Sequence, residues 1–126
     1  EVARFATSGV RMHGQLESIE SFYDRARVFI VPTRFAAGVP HKAHEAAAHG
    51  LPMVVTPLIA KQLGWDAEIE IAGEGAAFAD RCIALHGDPA RWQARRLAAW
   101  AAVERDCSPL AFRRTVAEIV AAESPE

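Results

Sequence analysis

The sequence has little cysteine, no surplus charge of either sign and no long hydrophobic run. Its two cysteines, Cys82 and Cys107, lie far apart in helical patterns and fit no metal-binding or redox spacing. This spacing excludes a fold that depends on disulfides or on a cysteine-bound metal. We expect two buried, reduced thiols, which is consistent with a cytoplasmic protein.

The lack of excess charge excludes further classes of partner. The formal net charge is −2, so the whole molecule does not attract nucleic acid or an anionic membrane. The arginine pairs at 95–96 and 113–114 are interleaved with acids, and we predict that they lie on solvated helix faces. No apolar stretch approaches the ~20 residues that span a bilayer. The sequence also lacks the Gly-rich dinucleotide fingerprint and the P-loop, the two best-known phosphate-binding motifs.

What is present divides the 126 residues into two patterns. From about residue 9 to 73, short apolar runs at 9–14, 27–33, 51–56 and 67–72 alternate with helical stretches at 17–26 and 40–49. Strands that alternate with helices need crossover connections and therefore form a parallel sheet. We predict an α/β fold, a Rossmann-like parallel sheet of about four strands flanked by helices. From about residue 75 to 122 we predict an all-helical C-terminal tail, in which Asp88-Pro89 and Ser108-Pro109 start new helices.

The helix predicted at 40–49 begins with charges of the unfavourable sign. His41 and Lys42 follow Pro40 and place cationic groups at the positive end of the helix dipole, at a cost of roughly 0.3–1 kcal/mol. A bound anion would remove this cost. Gly38 in the preceding loop permits close backbone approach, and helix N-termini at the carboxyl edge of a parallel sheet bind phosphates. We therefore predict a phosphate or diphosphate site here; the alternative is that Lys42 simply projects into water.

The segment PTRFAAGVPHKAHEAAAHGLPMVVT resembles the donor-binding signature of family-four retaining glycosyltransferases, which have the two-domain B-type fold. The shared features are a strand that ends in proline, a Gly-containing loop, a lysine, Glu-Ala two residues later, Gly-x-Pro and a Val-rich strand that ends in threonine. The flanking segments are similar as well, so the resemblance covers nearly the whole chain. It implies a glycosyltransferase of hexosyltransferase type, which moves a sugar from a nucleotide-diphosphate sugar to an acceptor with retention, without a metal or other cofactor.

The resemblance also implies roles for individual residues. Glu45 matches the second glutamate of the family's Glu-seven-residues-Glu motif and would bind the ribose hydroxyls. The loop at 38–40 matches the backbone that approaches the sugar and the diphosphate, and Lys42 matches the lysine of the motif. The first glutamate falls at Ala37, and an alanine cannot hold sugar hydroxyls. The expected donor-binding residues are Gly38, Val39, Pro40, His41, Lys42 and Glu45.

The resembled family has more structure than this chain supplies. Residues 1–126 would form one incomplete C-terminal nucleotide-sugar-binding domain, without the N-terminal acceptor domain and without the first two strands of the donor domain. We expect a fragment that is inactive alone and that leaves a strand edge unpaired, rearranges, or swaps elements with a second copy as a homo-oligomer. Any peripheral contact with a membrane would come through the absent part.

Two readings from other classes stay open. One is a non-catalytic nucleotide-binding or interaction module of flavodoxin-like topology. The other is a metal-dependent hydrolase that uses His41, Glu45 and His49, which lie on one helical stripe. The sequence HEAAAH is not the zinc motif HExxH, because positions i and i+5 diverge by about 140° around a helix.

Overall fold

A computed structural model of the chain describes residues 9–122. Short strands alternate with helices in the first part, and helices follow one another in the second. In chain order the elements are α1 (Glu20–Arg25), β1 (Phe29–Val31), α2 (His41–Ala48), β2 (Met53–Val55), α3 (Pro57–Leu63), β3 (Glu70–Ile71), α4 (Ala76–Gly87), α5 (Pro89–Cys107) and α6 (Pro109–Ala122). Within residues 9–122, none of these helices has both the length and the hydropathy needed to cross a lipid bilayer.

The sheet is parallel, as predicted, and has three strands in the order β1-β2-β3. Phe29 lies opposite Met53 and Val54 opposite Glu70, with α2 and α3 as the crossover connections. The prediction of a fourth strand at 9–14 was wrong, because the structure has no strand in that segment. Gly9 and Gly14 have φ angles of 96° and 67°, which interrupt extended backbone, and the whole segment is exposed.

The two faces of the sheet are covered unequally. On one face, Met53 and Val55 pack under α2, α3 and α5, together with the fully buried Trp65. On the other face, Val54 contacts a smaller cluster that includes Phe78 and Leu85 of α4. Successive side chains of a strand point to opposite faces, so three consecutive buried residues require cover on both sides.

Helix α2 lies very close to the sheet because its inner face is almost without side chains. Ala43, Ala46 and Ala47 are completely buried. The helix ends in the predicted way at Gly50, whose φ is 72°, and the Leu51 N–H donates back to the Ala46 carbonyl at 2.9 Å. The other predicted helices are present as well.

The predicted caps of the C-terminal helices are confirmed. Asp88 accepts a hydrogen bond from the Arg91 N–H at 3.0 Å, and Ser108 accepts one from the Ala111 N–H at 3.2 Å. Helix α5 packs across α2 with Ala99 and Ala102 buried, whereas Ala111 is the buried residue of α6. The C-terminal part is therefore helical throughout, as expected.

Two expectations about individual residues were wrong, and one helix was missed. Helix α3 was not predicted, although Pro57 at its start and Gly64 at its left-handed end are ordinary boundary signals. Cys107 is exposed rather than buried, while Cys82 is partly buried. Arg95 does not lie on a solvated face, because its guanidinium donates to the buried carboxylate of Glu70 at 2.8 Å.

Candidate functional site

The amino end of α2 is partly capped by its own loop. Pro40 is the N-cap residue and offers no side-chain hydrogen bond. The His41 N–H donates to the Val39 carbonyl and the Ala43 N–H to the Pro40 carbonyl, both at 2.9 Å. Across residues 9–122, the Lys42 N–H has no such partner. Of the first three helical N–H groups, that of Lys42 is therefore the one without a backbone acceptor in the described part of the chain.

A cavity of about 310 Å³ lies beside this helix tip. Its wall consists of residues 36–43, and Val31, Thr33, Ile59 and Gln62 complete it. The structure therefore brings together five of the six residues that were expected to bind the donor: Gly38, Val39, Pro40, His41 and Lys42. The cavity lies where β1 ends, which is the edge of a parallel sheet at which ligands bind.

Among the described residues, the cavity is lined by one lysine and one histidine and by no acidic residue. His41 and Lys42 are both exposed, and the first turn of α2 has no acid. Ala37 also lines the cavity, at the position where the resembled motif has its first glutamate. Without a carboxylate in its wall, this cavity suits an anion and does not suit a cation.

The loop between β1 and α2 is held at several points. The Thr56 hydroxyl donates to the Thr33 carbonyl at 2.6 Å, and the Gln62 amide donates to the Ala36 carbonyl at 3.1 Å. Arg34 forms an ion pair with Glu74, which follows β3. These contacts connect the loop to Thr56 after β2, to Gln62 of α3 and to Glu74 after β3.

Gly38 has a backbone reason to be glycine. Its φ is 102°, which side-chain-bearing residues rarely adopt, and an added Cβ would meet no atom within 4 Å. The loop therefore needs glycine for its conformation rather than for space.

Glu45 lies apart from the cavity at the helix tip. It lines a separate, more open depression of about 700 Å³, together with residues 16–20, Tyr23 and His49. Its carboxylate Oε2 accepts a hydrogen bond from the Tyr23 hydroxyl at 3.1 Å. Glu45 is exposed and is not packed against a hydrophobic wall. The sixth expected residue is thus accessible, one helical turn beyond Lys42.

Comparison with protein families identifies the chain. The sequence profile of the family described as "Glycosyl transferases group 1" matches residues 1–88, which is more than half of the chain. The chain belongs to the group 1 glycosyl transferases. Comparison with curated proteins and with solved structures gave no match.

The family match covers the candidate site. It spans the sheet, both crossover helices and α4, and therefore includes the α2 tip and Glu45. Helices α5 and α6 follow the matched region. A transferase of this group transfers glycosyl units. The cavity beside Lys42 and the exposed carboxylate of Glu45 both lie in the part of the chain that matches the family profile.

The histidines of this transferase do not gather around a metal position. Within residues 9–122, no group of three or more His, Cys, Asp or Glu side chains is placed to hold a metal ion. His49 stacks on Tyr23 with ring centroids 4.6 Å apart, and its Nδ1 lies 4.0 Å from Asp24 Oδ1. His44 packs edge-on against Trp65. These contacts account for the two histidines without a ligand.

Sequence reasoning missed three residues of the site. Thr56 had a usable signal, because it directly follows a buried strand and parallel strands end at the same edge. Gln62 had none, since the helix that carries it was not predicted. Tyr23 belonged to a predicted helix, but nothing in its spacing indicated a contact with Glu45, which is 22 residues away.

Proposed function

We propose that the chain is the donor-binding part of a retaining glycosyltransferase with a B-type fold. It would bind a nucleotide-diphosphate sugar, whose sugar passes to an acceptor hydroxyl. The observation that carries the proposal is the acid-free cavity with His41 and Lys42 at the tip of α2. Unbalanced cations at the positive end of a helix are explained by an anionic ligand.

In this proposal the diphosphate lies in the cavity at the helix tip. The Lys42 side chain and its unpaired N–H face the phosphate oxygens, and His41 adds a second donor. During transfer the bond between the anomeric carbon and the diphosphate oxygen breaks, and its electron pair stays on the diphosphate. The acceptor oxygen forms the new bond on the same face of the sugar, and its proton passes to the departing diphosphate oxygen. Fixed donors at the leaving group stabilise that growing charge without reorganising.

Glu45 supports the nucleoside side of the same proposal. It lies three residues beyond Lys42, a rise of about 4.5 Å along the helix. Its exposed carboxylate would accept hydrogen bonds from the vicinal ribose hydroxyls, and bonds to an ionised acceptor are the stronger kind. With the diphosphate at the tip, the ribose would follow along the outer side of α2.

Binding of ribonucleoside diphosphates tests the proposal. A set with different bases is titrated calorimetrically against the wild-type chain, Glu45→Ala and Lys42→Ala. We expect each substitution to weaken binding by roughly 10- to 100-fold, as expected for loss of a charge-assisted hydrogen bond. Glu118→Ala, an exposed acid on α6, is the control and should bind as the wild type does.

The outcomes separate the proposal from its rival. If the wild type binds none of these nucleotides, the donor-site reading fails and a non-catalytic module of flavodoxin-like topology gains support. If the wild type binds but Glu45→Ala and Lys42→Ala bind equally well, the nucleotide lies elsewhere and the proposed site is wrong.

A further inference from the structure

We propose that Tyr23 is the positioning residue for Glu45: its hydroxyl holds one carboxylate oxygen so that the other faces the ribose. This inference rests on the proposed function, since it assumes that Glu45 binds the nucleoside. Tyr23 is the single tyrosine of the chain. It belongs to α1, whereas Glu45 belongs to α2, so the contact joins two elements that are distant in sequence.

The Tyr23 ring is held firmly on its flanks. The side chain is 7% exposed, and the ring stacks on His49 with an interplanar angle of 21°. On another side it is tilted against Phe29, with centroids 5.8 Å apart. Because the ring is fixed, its hydroxyl is also fixed, at 3.1 Å from Glu45 Oε2.

The hydroxyl acts as the donor in this contact. Burial raises the pKa of Tyr23 above its usual value, and the hydrogen bond to the Glu45 carboxylate raises it further. The phenol therefore keeps its proton at neutral pH, and Glu45 Oε2 accepts the hydrogen bond from it. Across residues 9–122, no cation forms an ion pair with Glu45, so Tyr23 is the group that restrains this carboxylate.

Restraint of this kind matters for an exposed glutamate. Its side chain has several rotatable bonds, and ordering such a side chain on binding costs affinity. The Tyr23 hydroxyl occupies Oε2 before a ligand arrives, which leaves Oε1 free to accept from a ribose hydroxyl. The tyrosine is thus expected to raise affinity for the ribose without touching the ligand.

The variant Tyr23→Phe removes the hydroxyl and keeps the ring contacts. We expect its affinity for ribonucleoside diphosphates to fall roughly 2- to 10-fold, the effect of freeing one ordered side chain. Affinity for the matching 2′,3′-dideoxynucleoside diphosphate should not change, since that ligand has no hydroxyl for Glu45. Ser18→Ala is the matched control, because it removes a hydroxyl from the same depression. That hydroxyl accepts a hydrogen bond from the Glu20 N–H and does not contact Glu45.

A double variant distinguishes positioning from a merely structural role. If Tyr23 acts through Glu45, then Tyr23→Phe combined with Glu45→Ala should bind as Glu45→Ala does. Additive losses would overturn the inference, as would an equal loss for the dideoxy ligand. Full ribonucleotide affinity in Tyr23→Phe, with a loss in Glu45→Ala, would overturn the inference and leave the proposed function intact. Full affinity in Glu45→Ala would overturn the inference, and full affinity in Lys42→Ala as well would also overturn the proposed site. No binding by the wild type would overturn both.

Discussion

Within residues 9–122, charged side chains are paired within the chain at one place and are left without a neighbouring opposite charge at another. Glu70 in β3 is 2% exposed, yet three arginines donate hydrogen bonds to its carboxylate. At the tip of α2, His41 and Lys42 are exposed and have no acid in their helical turn. The buried charge of Glu70 is compensated within the chain, whereas the first turn of α2 has no acid beside Lys42. The first arrangement serves stability, and the second is the one for which we propose an anionic ligand.

The Glu70 cluster also explains how the helical part is fixed to the sheet. Arg91 and Arg95 are one turn apart on α5, so both guanidiniums reach the same carboxylate, with N–O distances of 2.7 to 2.8 Å. Arg81 of α4 completes the set at 3.2 Å. Two helices are thereby bound to one strand through one acid.

The largest effect is expected from Glu70→Gln. The substitution keeps the size of the side chain but leaves three guanidiniums without their anion. We expect the free energy of unfolding to fall by roughly 3–5 kcal/mol, the usual loss when one partner of a buried ion pair is removed. Urea denaturation followed by far-UV circular dichroism measures it.

The control for Glu70→Gln is Glu74→Gln. Glu74 pairs with Arg34, but both side chains are more than half exposed. Such pairs contribute at most about 1 kcal/mol. Equal losses in the two variants would contradict the contrast between a compensated buried charge and a surface pair.

Acid should weaken the same cluster. Burial acts to raise the pKa of Glu70, but the hydrogen bonds from Arg91 and Arg95 outweigh it and lower the pKa from 4.5 to about 2. A lowered native pKa means stability that is complete above about pH 4.5 and lost as the pH falls to 2. The shift corresponds to about 3 kcal/mol. Urea denaturation of wild type and Glu70→Gln between pH 2 and 7 should show their difference narrowing in that window.

The smallest effect on stability is expected at the tip of α2. Lys42→Glu puts an acid at the positive end of α2 and should raise the free energy of unfolding by about 0.3–1 kcal/mol. The same variant should lose affinity for inorganic diphosphate, measured by calorimetry. Stability and binding would thus change in opposite directions, as expected for a residue kept for a ligand.

Lys61→Glu is the matched control for Lys42→Glu. Lys61 is an exposed lysine in the last turn of α3, where a cation is favourable. Its replacement should lower stability slightly and leave diphosphate binding unchanged. If Lys42→Glu instead destabilised the chain, the charge at the α2 tip would have an internal partner and the contrast with Glu70 would disappear.

Single boundary residues predicted three of the helix ends, although the same kind of signal at Pro57 and Gly64 did not lead to a prediction of α3. Gly50 ended α2, and Asp88 and Ser108 capped α5 and α6, because each satisfies backbone groups locally. The segment at 9–14 had only a run of apolar residues, and that signal is not specific without a neighbouring strand to pair with.

The candidate site was predictable where it is local and not where it depends on long-range contacts. Residues 38–42 form a continuous loop and helix start, so their proximity follows from the chain itself. The separation of Glu45 into another depression depends on α1, and the role of Arg95 depends on a strand 25 residues earlier. Such contacts are set by packing, which a single sequence does not show.

The alanine face of α2 affects the spacing between the two residues that would contact the proposed ligand. Ala43, Ala46 and Ala47 are completely buried, so α2 is held close to the sheet. The distance along the helix from Lys42 to Glu45 then sets the spacing between the proposed phosphate and ribose contacts. A bulkier residue on that face would move α2 away from the sheet and would displace Lys42 and Glu45 together. Tolerance to substitution should therefore be low even at Ala46 and Ala47, which lie outside the cavity of the proposed phosphate site.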